Sequence, residues 1–223
     1  MRKSEISASM MCSDLIDLKD TIKIFEEEGI EYLHIDVMDG TFVPNFGLGV
    51  DYIRGLRKLT NIPLDIHLMV KDPEYKFQWL GIKESDVVSI HYESTFQVQR
   101  ALDYLQPFGC KKFLAINPAT PISALEEVLD YIDGINLLMV NPGYAGQKIV
   151  PSTIRKAKKV VELLKQERRD DIIVEVDGNM STSNAEILRN IGASMFVAGT
   201  SAIFKGDLSK YKENIIKFRK SII

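Results

Sequence analysis

The chain has 223 residues, 45% hydrophobic and 26% charged, with a net charge of −3. That length and apolar content suit one substantial core, so residues 1–223 are expected to form a single domain, and the slight acidity offers no basic surface for nucleic acid. Cys12 and Cys110 are too few and too far apart for a disulfide framework, and no apolar run has signal-peptide or membrane-span length; a reduced, cytoplasmic setting away from membranes is expected.

Short apolar runs alternate with helical patterns along the chain. Strand-like runs fall at 5–9, 32–36, 63–69, 87–91, 112–116, 134–140, 172–176 and 194–198, and helix-like stretches at 17–28, 50–56, 73–80, 96–108, 122–131, 152–166, 184–191 and 209–222. Asp72-Pro73 and Thr120-Pro121 read as an N-cap followed by proline in the first turn, and Ser183 with Glu186 as a capping box. Eight strand–helix repeats in this length predict an α/β fold of the (β/α)8 TIM-barrel type. A doubly wound open sheet fits less well, because no glycine fingerprint follows the first strand.

Three strands carry chemistry on one face. In Leu33-His34-Ile35-Asp36-Val37-Met38, the aliphatic residues share one side, and His34, Asp36 and Met38 share the other. Leu64-Asp65-Ile66-His67-Leu68-Met69 repeats the pattern, and Asp177 ends a third strand on the face of Ile173 and Glu175. Singly, each has an ordinary explanation: a hydrogen-bonded core histidine, a turn-forming aspartate before glycine, a gap-filling methionine. In a barrel, however, C-terminal strand ends converge on one mouth. There, two histidines and two aspartates make a ligand set for a divalent ion such as Zn, Mn, Co, Fe or Mg.

The loops add an anion site. Asn141-Pro142-Gly143-Tyr144-Ala145-Gly146-Gln147 follows the sixth strand, Asp177-Gly178-Asn179 the seventh, and Gly199-Thr200-Ser201 the eighth. Glycine lets backbone amides approach a bound group, and barrels commonly hold phosphate after strands seven and eight. A phosphorylated small molecule is therefore expected. Asn117-Pro118-Ala119-Thr120-Pro121 is expected to shape the mouth rather than react.

These stretches, with Ser9 after the first strand and Phe42-Val43-Pro44-Asn45 after Gly40, resemble the ribulose-phosphate 3-epimerase family from the first strand to the last. The resemblance implies a ribulose-phosphate-binding barrel and a metal-dependent isomerase that inverts carbon 3 of a ketose phosphate, in a homo-oligomer. It implies His34, Asp36, His67 and Asp177 as metal ligands and Asp36 and Asp177 as the acid/base pair. Ser9 and His67 are implied as substrate contacts, with Gly143 to Gly146, Asp177 to Asn179 and Gly199 to Ser201 as the phosphate grip and Met38 and Met69 as lining. A base on one side and an acid on the other, with an enediolate between them, is what inversion beside a carbonyl needs.

The chain departs from the common pattern at Met10 to Asp14, at Tyr144-Ala145-Gly146, at Asn179 and at Gly199-Thr200-Ser201. These departures look more like the allulose-6-phosphate 3-epimerase branch. D-allulose 6-phosphate is therefore the expected substrate, with D-ribulose 5-phosphate as the alternative and a sugar-phosphate-binding barrel without catalysis as a third reading. Leu138 stands where the family usually has a methionine, with Met139 on the other face.

Overall fold

The computed structural model describes residues 2–223. Eight parallel strands close into a barrel in sequence order: β1 (Glu5–Ser9), β2 (Tyr32–Met38), β3 (Leu64–Met69), β4 (Val87–His91), β5 (Lys111–Ile116), β6 (Gly134–Leu138), β7 (Ile173–Asp177) and β8 (Met195–Ala198), with β8 pairing back onto β1. Each predicted strand is present within two residues of its expected ends. Residues alternate along them. Leu33, Ile35, Leu64, Ile66 and Leu68 point out to the helices and are fully buried there, while their neighbours line the barrel interior.

Six of the eight strands lead into an α-helix: α1 (Leu18–Glu27), α2 (Val50–Leu59), α3 (Val98–Asp103), α4 (Pro151–Gln166), α5 (Thr182–Ile191) and α6 (Tyr211–Ser221). The other two do not. The expected helices at 73–80 and 122–131 are runs of 3₁₀ turns. Asp72, at φ 47°, turns the first of these segments sharply at its start. In the second, Leu125 and Val128 bury at a spacing of three, which suits a three-residue turn.

The caps also differ from expectation. Ser181 caps α5, accepting from the Asn184 amide at 3.2 Å, and Ser183 lies inside that helix. Asp72 makes no side-chain cap, and Thr120 spends its hydroxyl on Glu93.

The barrel interior is layered. At the N-terminal end of the strands, Tyr32, Val87, Phe113, Ile173 and Met195 form a separate apolar cluster. A Cβ on Gly134 would fall 2.3 Å from the Phe113 ring, so glycine is what leaves that ring its place. Above it, the inward positions turn polar.

Candidate active site

β2 and β3 lie side by side with Asp36 opposite His67 and Met38 opposite Met69. The loop after β2 folds back on its own strand. Leu48 donates to the Asp36 carbonyl at 2.8 Å, and a Cβ on Gly47 would come within 2.3 Å of that oxygen. Asp39 ends the strand as expected, its carboxylate accepting from the amides of Thr41, Phe42 and Lys71 at 2.9–3.0 Å. The backbone that carries His34 and Asp36 is thus fixed on both sides.

Four side chains from β2, β3 and β7 converge. His34 Nε2 lies 3.2 Å from Asp36 Oδ1 and 3.7 Å from Asp177 Oδ2; His67 Nδ1 lies 3.3 Å and 3.4 Å from the same two oxygens. Ligands held about 2.0–2.1 Å from a tetrahedral cation stand about 3.3–3.4 Å apart. The measured separations match those edges, so the donor set fits a divalent ion in both chemistry and spacing. Two carboxylates also balance its charge in a largely buried place.

The carboxylates are not equivalent. Burial opposes ionisation of Asp36, but the charge and hydrogen bond of His34, joined by those of His67, hold it far below the ordinary range. Burial raises Asp177; His34 offsets this in part, and the Asp36 charge adds to it. The surroundings thus push the two carboxyls in opposite directions. For His34, burial is outweighed by Asp65 and Asp36, which raise it well above the ordinary histidine value. Its Nδ1 lies 2.6 Å from Asp65 Oδ2, which also accepts from Ser7 Oγ at 2.7 Å. Ligation of a cation at Nε2 must release the proton carried there.

Above the four ligands opens a pocket at the barrel mouth. Ser9, Asp36, Met38, Met69, Gly143, Tyr144, Ala145, Gly146, Asp177, Gly178, Asn179, Gly199, Thr200 and Ser201 all line it. His34 and His67 are fully buried and, unlike the other expected site residues, do not line it. Gly178 has φ 109°, and a Cβ there would meet Val140 at 2.6 Å, so the loop after β7 passes where only glycine fits. Leu138 takes the mouth position on β6, and Met139 points away into the core beneath the helices. The third thioether comes instead from Met11, packed against Met38, Val43 and Met69.

The loops after β2 and β6 hold one another: Asn45 Nδ2 donates to the Gly143 carbonyl at 2.7 Å and Tyr144 Oη to the Pro44 carbonyl at 2.6 Å. Residues 117–121 do not line the pocket. They are tied down by Glu93 at Asn117 and Thr120 and by Lys156 Nζ, which donates to the carbonyls of Asn117, Pro118 and Thr120.

Sequence reasoning missed His91, Glu93, Asp65, Met11 and Cys12. His91 had a visible signal: it is the chain's third and last histidine and also ends a strand. Burial lowers it to about 4, and Glu93 only partly offsets that.

The sequence matches the model of the ribulose-phosphate 3 epimerase family over residues 5–204. It is 37% identical over 224 residues to the ribulose-phosphate 3-epimerase of Escherichia coli strain K12, covering 100% of this chain and 97% of that one. To the ribulose-phosphate 3-epimerase of Bacillus subtilis it is 33% identical over 206 residues, covering 92% and 95%. In fold it resembles 3-keto-L-gulonate-6-phosphate decarboxylase of Vibrio cholerae, with a TM-score of 0.70 and 11% identity over 99% of this chain and 98% of that one. The relatives named so far give no support to the expected hexulose preference. One of the departures behind it, Asn179, is a local accommodation. Asn179 sits at φ 55°, a conformation glycine also adopts, and its amide is spent on the Gln147 carbonyl and on Asn184. No helix among the described residues is long and apolar enough to cross a membrane. With a closed eightfold barrel, a buried histidine–aspartate cluster and full-length similarity to these enzymes, the chain belongs to the ribulose-phosphate 3-epimerase family and is an isomerase.

Proposed function

We propose that the protein is a metal-dependent ribulose-phosphate 3-epimerase, interconverting D-ribulose 5-phosphate and D-xylulose 5-phosphate. One observation carries this reading: Asp36 and Asp177 reach a shared cavity from strands three places apart around the ring. The names of the relatives favour the pentulose.

Asp36, ionised, takes the proton from carbon 3; the electron pair forms the carbon 2–carbon 3 double bond and charge passes to the oxygen on carbon 2. Asp177 returns a proton to carbon 3 on the opposite face, and the two exchange roles in reverse. A divalent ion held by His34, Asp36, His67 and Asp177, whether Zn, Mn, Co, Fe or Mg, supplies Lewis-acid stabilisation of charge on that oxygen. Met11, Met38 and Met69 wall the reacting carbons from water. Ser9 bonds the sugar hydroxyls, and the backbone of Gly143 to Gly146, Gly178, Asn179 and Gly199 to Ser201 receives the phosphate.

The test is a side-by-side rate measurement on D-ribulose 5-phosphate and D-allulose 6-phosphate with a defined metal in deuterated water. The expected result is faster turnover of the pentulose with deuterium entering carbon 3. Equal or faster turnover of the hexulose overturns the substrate, and product without deuterium overturns the chemistry.

A further inference from the structure

All three histidines of the chain meet beneath the mouth, and the four-ligand site uses only two. His67 Nε2, the nitrogen that faces away from the aspartates, lies 2.8 Å from His91 Nε2. Two ring nitrogens at that distance share one proton: two protons would clash and none would set lone pairs against each other. His91 Nδ1 in turn lies 3.3 Å from Glu93 Oε2. A carboxylate only accepts, so the proton on His91 belongs on Nδ1. Its Nε2 is then bare and accepts from His67 Nε2–H. That leaves His67 Nδ1 bare, facing Asp36 and Asp177 at 3.3 and 3.4 Å and free to take up a cation.

The parts are held against rearrangement. The His91 ring is fully buried, stacked on His67 at 4.9 Å and 23° and packed against Phe42 at 4.7 Å, so it has no room to flip its nitrogens. Glu93 is pinned by its other oxygen, which accepts from the Asn117 amide at 3.0 Å and from the Thr120 hydroxyl. Lys156 fixes that same segment through three carbonyls.

We infer that His91 and Glu93 are positioning residues: a directed hydrogen-bond relay that locks His67 in the tautomer whose Nδ1 is free to bind the metal. The relay rests on the metal reading of the site. It also gives residues 117–121 their purpose, as an anchor for Glu93 rather than a wall of the mouth.

The test has two parts. In ¹⁵N spectra of the zinc-loaded wild type, the relay requires the His91 proton on Nδ1, the less favoured form of free histidine. A proton on Nε2 overturns it. In parallel, zinc affinity is read by competition with a chromophoric chelator for wild type, His91→Phe, which keeps the ring stack but cannot accept, and His91→Gln, whose amide oxygen can. Loss of partners of this kind costs roughly 10–100-fold in metal affinity, so that is the expected weakening in His91→Phe, with recovery to within a few-fold in His91→Gln. Glu93→Gln, which leaves one acceptor to serve two faces, is expected to fall between them and guards against a His91→Phe that does not fold. Wild type and variants binding alike overturns the relay. A wild type that takes up no zinc overturns the metal reading itself, which is a different result.

Discussion

The two ends of the barrel interior are built from the same strands to opposite ends. Tyr32, Val87, Phe113, Ile173 and Met195 close the N-terminal end with apolar surface. A few residues further along, His34, Asp36, His67, His91, Glu175 and Asp177 occupy the same inward face. The first layer gains from water exclusion; the second spends some of that gain to hold charged groups in a nearly dry place. Its cost is limited because the histidines and aspartates pair with one another. The lesson is that stability and chemistry are separated along the strand axis, not by strand.

Substitutions at the two ends should therefore fail differently. Asp177→Asn should lower turnover by roughly 10²–10⁴-fold, the usual worth of a positioned proton carrier, with an unchanged circular dichroism spectrum and melting temperature. A variant that unfolds would blur the two layers into one. Phe113→Ala should do the converse: a loss of about 3–5 kcal/mol in denaturant unfolding, with turnover per folded molecule intact. A strong loss of turnover in folded Phe113→Ala would mean that the lower layer sets the geometry of the upper one.

Smaller effects sharpen the boundary. Burial opposes the ionisation of Glu93, but bonds from His91, Thr120 and the Asn117 amide outweigh it and bring the carboxyl down to about 2. A depressed carboxyl stabilises the fold above its ordinary value of 4.5 and loses that contribution as pH falls toward 2. The acid limb of a stability–pH curve should therefore be shallower in Glu93→Gln than in wild type; identical limbs would show that the network carries no stability. Least of all, Tyr144→Phe removes one exposed bond, to Pro44, worth about 0.5–1.5 kcal/mol. It should shift KM by less than about tenfold with little change in kcat; a large fall in kcat would move the loop after β6 from holding substrate to the chemistry itself.

Much of this was legible in the chain. Alternation on β2 and β3 separated His34, Asp36, His67 and the methionines from the aliphatic face, and strand-end position singled out Asp177. The crossovers were less legible: Pro73 and Pro121 read as helix starts, yet both segments settle into 3₁₀ turns, the second after a stretch pinned by Glu93 and Lys156. The pairing of Asp65 with His34 and of His91 with His67 was not legible, because a hydrogen-bond partner on a neighbouring strand leaves no mark in local spacing.

The sequence by itself determined which residues share a face, since a strand has a period of two whatever surrounds it. It also determined the count of strands, through the turn signals between the apolar runs. Only the closed barrel decided which faces meet. Pairing β8 onto β1 sets β7 three strands from β2 and brings Asp177 to Asp36 from 141 positions away in the chain. It likewise lays His91 beside His67, where a shared proton orients both rings. Distances of that kind come from ring closure and register, and no local pattern encodes them.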